Sequence, residues 1–299
     1  MTFRIGPPTV PNPSPHVPAG LIEAFADEFE SLSIESGSLP TTGATWGDSF
    51  IQFGVRNLAA NNDECIKGRP EYANGAGPTL ESIGCHTMQQ AGSSLVMGGY
   101  EIPVPNRPDF FNFPYAGPHL DGRRSCNFSY GYIEWRIRFV SMGPGTHWSL
   151  WLWSSTRNDY EVDILEVIGS NTGLPNGPVV PNHFHNTIDN SPGGIGHGFT
   201  NIATTSADMF DWHVWGVEIT PTTMTWNKDG VVVRTHDNTF DSGTIWHPFT
   251  TLEMGAGGTP TGSFPGAVNG STPLPTWAEL DYIRVYTTDG TLEAEQPLP

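Results

Sequence analysis

Lysine is nearly missing from this 299-residue chain, occurring only at Lys67 and Lys228, and Lys and Arg together number 13 against 31 Asp and Glu. The formal charge is −18 at pH 7. Nucleic-acid binding depends on cations that neutralise phosphates, and adsorption to anionic membranes needs the same, so both partner classes are excluded. A run of about 18 apolar residues is also missing, which excludes a membrane-spanning helix. Only 15% of residues are charged and no ten-residue stretch has a convincing helical period, so a coiled coil is excluded too. Cysteine is sparse: Cys65, Cys85 and Cys126 are odd in number and too far apart for a zinc knuckle. A Cys65–Cys85 bridge is conceivable, but the expectation is that none forms. The opening residues Met1 to Pro8 lack the basic region and apolar run of a secretory signal. An extracellular location would then be reached with a leader already removed, or by another route.

What the chain has in quantity is punctuation and rings. Glycine (35) and proline (27) together fill about a fifth of positions, a density that suits short strands joined by turns. Ten Trp, sixteen Phe and eight Tyr supply core filling and stacking platforms. Residues 1–20 are proline-rich and read as an extended tail, residues 290–299 as a second tail, and 21–289 as one domain. Ser129 to Val140 alternates cleanly, with Ile133, Trp135, Ile137 and Phe139 on one face and Tyr132, Glu134, Arg136 and Arg138 on the other. His147–Trp153, Tyr160–Ile168, Trp212–Thr220 and Glu279–Tyr286 are further strands, and Lys228-Asp229-Gly230 marks a hairpin turn. The expected fold is all-β with two packed sheets.

Chemistry concentrates in Glu161-Val162-Asp163-Ile164-Leu165-Glu166. On a strand Glu161 and Asp163 share a face while Val162 and Ile164 point to the core, and Glu166, five positions on, should face the wrong way. One extra residue near Ile164–Leu165, a β-bulge, returns Glu166 to the carboxylate face. Three like charges on one face repel one another and need a use. The tryptophan-rich run His147–Trp153 lies just upstream. Paired carboxylates beside aromatic platforms are what a glycosidase requires: one acid attacks or supports the anomeric carbon and another protonates the leaving oxygen.

These features resemble glycoside hydrolase family sixteen, the group of laminarinases, lichenases, agarases and carrageenases. The resemblance runs over about residues 20 to 288. It rests on Phe25-Ala-Asp27-Glu28-Phe29, Tyr130-Gly131-Tyr132-Ile133-Glu134, the bulged acid motif, Asp211 to Glu218, Asp229-Gly230 and Leu280 to Tyr286, in that order. It implies a β-jelly-roll sandwich of the concanavalin A type with an open concave cleft, and retaining hydrolysis. By the same resemblance Glu161 matches the nucleophile, Asp163 the assisting carboxylate and Glu166 the acid/base. Trp148 and Trp151 match rings bordering the subsites, and His185 a histidine near the cleft. Arg56 and Glu64 match a glucanase-type binding segment. Asp281 and Glu28 resemble positions near a structural calcium; no cofactor is implied for catalysis. Ile219 departs from the family's usual tryptophan, and the stretch from Cys65 to Cys85 is an insert.

The remaining motifs are read more plainly. His183 and His185 share a strand face, but no third ligand stands at zinc spacing. Gly255 to Gly258 has no following lysine and is a loop. Asn127-Phe128-Ser129 and Asn269-Gly270-Ser271 are glycosylation sequons. The expected function is that of a monomeric, extracellular, retaining endo-hydrolase of a β-1,3- or mixed-linked glucan or a related bacterial exopolysaccharide. A β-galactanase of agarase, porphyranase or carrageenase type is the second expectation. A non-catalytic lectin on the same sandwich is the third, although a lectin has no need of the acid trio.

Overall fold

A computed structural model describes residues 13–35, 44–48, 65–156, 160–169, 183–189, 199–201, 210–255 and 267–294. Within them the chain forms strands β1 (Ile22–Asp27), β2 (Ile34–Glu35), β3 (Trp46–Gly47), β4 (Cys65–Lys67), β5 (Met88–Ala91), β6 (Ser94–Glu101), β7 (Tyr115–Gly117), β8 (His119–Asp121) and β9 (Gly131–Ser141). They continue as β10 (Thr146–Ser154), β11 (Glu161–Gly169), β12 (His183–Asp189), β13 (Phe199–Asn201), β14 (His213–Ile219), β15 (Thr223–Lys228), β16 (Val231–Asp237), β17 (Trp246–Met254) and β18 (Thr276–Thr287). One sheet runs β16-β15-β14-β9-β18-β6-β7-β4, with β1 on β18 and β5 on β6; the other runs β13-β12-β11-β10-β17-β8-β3-β2. The all-β, two-sheet expectation holds.

The alternating sequences explain the layers. Ile133, Trp135, Ile137 and Phe139 of β9 meet Trp148, Leu150 and Leu152 of β10 and Val162, Leu165 and Val167 of β11 in one apolar core. Two indoles tie the sheets together across it: Trp135 donates to Thr250 Oγ1 (3.0 Å) and Trp226 to the Asp163 carbonyl (2.9 Å). The β15–β16 hairpin turns through Asp229 and Gly230, both at positive φ (51° and 75°), as a two-residue loop of that hand requires. Cys65, Cys85 and Cys126 are all buried, and the structure draws no bridge between Cys65 and Cys85.

The other face of β9 is charged yet hidden. Tyr132 and Glu134 are wholly buried, and Ser14 covers them from the N-terminal side, its N–H donating to the Tyr286 hydroxyl. Burial pushes Glu134 up to about 7 against the opposing pull of Arg284. Beyond it, Arg138 pairs with Glu279 and Arg136 with Asp281, and the Trp212 ring lies over both guanidinium groups.

This ladder corrects the calcium expectation. Glu28 grips Arg284 in a two-point contact (Nε–Oε1 2.7 Å, Nη2–Oε2 2.9 Å), and Asp281 is taken by Arg136. Calcium needs a cage of about six to eight oxygens, whereas each of these carboxylates faces a cation. Among the described residues no group of three or more His, Cys, Asp or Glu is arranged for a metal. Glu28 and Asp281 do not fit a calcium site.

Candidate active site

The acid motif occupies β11, and its register shows how three carboxylates reach one face. Antiparallel pairing with β10 matches Glu161 to Trp153, Val162 to Leu152 and Asp163 to Trp151, then resumes with Leu165 opposite Leu150 and Glu166 opposite Ser149. Ile164 is the extra residue, and the pairing with β12 shifts over the same interval. Directly paired residues share a face, and Trp153, Trp151 and Ser149 alternate along β10, so Glu161, Asp163 and Glu166 all project from the outer side of the sheet. The apolar Val162, Ile164, Leu165 and Val167 remain in the core. Glu161 and Glu166 are half-buried and Asp163 is buried.

Around the acids the outer face is aromatic toward Glu161 and polar toward Glu166. Trp151, Trp153 and Phe249 form a cluster separate from the main core. Trp151 stacks on Phe249 (centroids 4.3 Å apart), meets Trp153 edge-on, and donates its indole N–H to Thr251 Oγ1 (3.2 Å). At the other end His147 lies between two carboxylates, with Nε2 3.2 Å from Glu166 Oε1 and Nδ1 3.1 Å from Glu253 Oε2. Ser149 Oγ is 3.0 Å from the same Nε2. Burial alone would pull the imidazole pKa down; the hydrogen bonds and charge of Glu166 and Glu253 overcome this and push it up to about 9. Beyond Phe249, His247 Nδ1 lies 2.7 Å from Ser155 Oγ, and burial followed by Arg123 holds the pKa of His247 well below the ordinary value.

The predicted ring pair is split by this geometry. Trp151 sits on the acid face, but Trp148 is a core residue, 1% exposed and packed near Phe139, because it falls on the alternate side of β10 with Leu150 and Leu152. His185 stands directly opposite Glu166 in the β11–β12 register. Arg56 and Glu64 lie outside the described residues. Sequence reasoning passed over Trp153, Phe249, His147, Ser149 and Glu253. Trp153, Ser149 and His147 share the parity of Trp151, so the period-2 rule applied to His147–Trp153 would have found these three, while Phe249 and Glu253 stand opposite Trp151 and His147 on β17. One sequon is closed: Asn127 is buried and accepts from Ser155 at Oδ1 (2.9 Å).

Comparison with known proteins agrees with this geometry. A κ-carrageenase of Pseudoalteromonas carrageenovora is 23% identical over 209 residues, 62% of this chain and 50% of the relative. The chain thus spans about half the length of that protein. A β-glucanase of Rhodothermus marinus is 25% identical over 219 residues, covering 67% of this chain and 72% of the relative. The fold is shared with the endo-β-1,3-glucanase of Pyrococcus furiosus at a TM-score of 0.65 and 18% identity, over 89% of this chain and 94% of that one. The family model for glycosyl hydrolases family 16 matches residues 88–276, a span that includes the whole bulged strand and its tryptophan-rich neighbour. With the acid motif, the sheet order and this match in agreement, the chain belongs to glycosyl hydrolases family 16.

Proposed function

We propose that the protein is a retaining, endo-acting glycoside hydrolase that cuts internal β-glycosidic bonds of a β-1,3- or mixed-linked glucan. The observation that carries this reading is the bulge at Ile164, which brings Glu161, Asp163 and Glu166 to one face of β11. Glu161 attacks the anomeric carbon, and Glu166 gives its proton to the departing glycosidic oxygen. In the second half-reaction Glu166, now ionised, takes a proton from a water whose oxygen bonds the anomeric carbon and displaces the Glu161 carboxylate. Asp163 lies between them, close enough in sequence and face to hold the nucleophile by a shared hydrogen bond. Trp151 and Trp153, backed by the buried Phe249, give the Glu161 side aromatic rings suited to sugars.

A glucan is favoured over an anionic galactan because the chain carries a net charge of −18 and two lysines, and a sulfated substrate would meet a repelling field. The similarity to a κ-carrageenase supports the galactan as the second reading. A polymer of either kind is met outside the cell, and we infer that the enzyme acts there, as a monomer. The test is product analysis on laminarin, lichenan, agarose and κ-carrageenan, with the anomeric configuration of the first products followed by NMR. Oligosaccharides of retained configuration from laminarin or lichenan are expected. Cleavage of agarose or carrageenan alone would move the assignment to the galactans, and binding without cleavage of any polymer would make the protein a lectin.

A further inference from the structure

We propose that His147, anchored by Glu253, is the positioning residue of the acid/base Glu166, fixing one carboxyl oxygen so that the other is presented to the glycosidic bond. The inference rests on the assignment of Glu166 made above and concerns residues that the family signature does not contain. Three strands contribute. β10 brings His147, β11 brings Glu166, and β17 brings Glu253, which is the direct register partner of His147. The contacts are 3.2 Å from Nε2 to Glu166 Oε1 and 3.1 Å from Nδ1 to Glu253 Oε2. All three groups are enclosed: side-chain exposures are 5% for His147, 13% for Glu166 and 4% for Glu253.

The chemistry follows from the donor inventory. An imidazolium has two N–H donors and no acceptor, and here each nitrogen faces a carboxylate oxygen. Ser149 Oγ, 3.0 Å from Nε2, stands beside the Glu166 contact. With Oε1 occupied by Nε2–H, a proton on Glu166 resides on Oε2. The groups facing His147 are Glu166 on β11, with Asp163 and Glu161 further along the same face, Glu253 on β17, and Ser149 on its own strand. The β12 positions opposite Ile168 and Glu166 are His183 and His185. Asp163 and Glu161 make Glu166 harder to ionise, while a neighbouring imidazolium makes it easier. Glu166 must hold a proton in the first half-reaction and release it by the second, so the opposing influences suit a group that alternates. Glu253 keeps the influence moderate, because with the imidazolium it forms a pair of zero net charge.

The test compares pH profiles of kcat/KM for the wild type, His147→Gln, Glu253→Gln and the double variant, on whichever polymer the wild type cleaves. Glutamine at 147 retains a donor but removes the charge. The alkaline limb, where the acid loses its proton, should then move up by about one pH unit. Glu253→Gln leaves the imidazolium charge uncompensated and should move the limb the opposite way, down in pH, and the double variant should follow His147→Gln, since Glu253 acts through the imidazole. KM should stay within about twofold while kcat falls about tenfold, because orientation of the acid matters to chemistry more than to binding. Limbs unmoved in folded variants, or a change in KM alone, would overturn the proposal. Should His147→Gln fail to fold, Glu253→Gln decides by the same criterion. Azide rescue of Glu166→Ala is run alongside: its absence removes the acid/base assignment itself, whereas rescue with unmoved limbs removes only the role of His147.

Discussion

Parity along β10 separates two tryptophans that look equivalent in the sequence. Trp148 has its indole in the core, and among the described residues its N–H has no hydrogen-bond partner, so its worth is packing. Trp148→Ala should cost about 3–5 kcal/mol of stability by the cavity it leaves, and a denaturant melt will read this directly. Trp151→Ala removes a ring stacked on Phe249 on the acid face and should raise KM before it harms folding. The pair of measurements should part cleanly, and an unfolded Trp151 variant with an intact Trp148 variant would reverse the assignment. Among the acids, Glu161→Gln should abolish turnover on every substrate while far-UV circular dichroism and oligosaccharide binding are kept, since one nucleophile carries the covalent step.

At the scale of the strand, β9 carries a buried carboxyl through the middle of its sheet. Glu134 is more easily protonated in the folded state than its ordinary value of 4.5, with its pKa at about 7. The folded form therefore binds the proton more tightly, and its contribution to stability is lost as pH rises from about 4.5 through about 7. Glu134→Gln should be close to neutral below the lower value. Near pH 8 it should raise stability by up to about 3 kcal/mol, the linkage equivalent of that shift. Melting temperatures of both proteins across this range will show whether the gain appears only on the alkaline side.

For the molecule as a whole, His147 extends the same trend. Its folded pKa of about 9 lies above the ordinary 6.5, so its stabilising proton is fully present below the lower value and lost as pH climbs to the higher. With Glu134 already spent, the fold should be least robust on the alkaline side, and calorimetry should give a lower Tm near pH 9 than near pH 6. How much of this was legible in the sequence depended on distance along the chain. The sheets, the acid trio and the position of the bulge follow from a two-residue period and could be read locally. The partners could not. Arg284 reaches Glu28 across 256 residues, Arg136 reaches Asp281 across 145, and Glu253 reaches His147 across 106. Resemblance offered calcium ligands where the fold had set ion pairs, and it offered Trp148 where strand parity excludes it.

The bulge also has an arithmetic of its own at the level of the gene. Loss of the one codon for Ile164 would leave Glu-Val-Asp-Leu-Glu, in which the acids stand at every second position. Leu165 already faces Leu150 and Glu166 already faces Ser149, so the shortened strand would pair with β10 without interruption and keep all three acids on the same side. An in-frame triplet deletion, usually ruinous inside a strand, is here a silent change of spelling for the carboxylate face. Two descendants of one ancestor could differ by that triplet and still share a catalytic plan, while a gap-free alignment of their strands would set an acid against an aliphatic residue and report the site as lost.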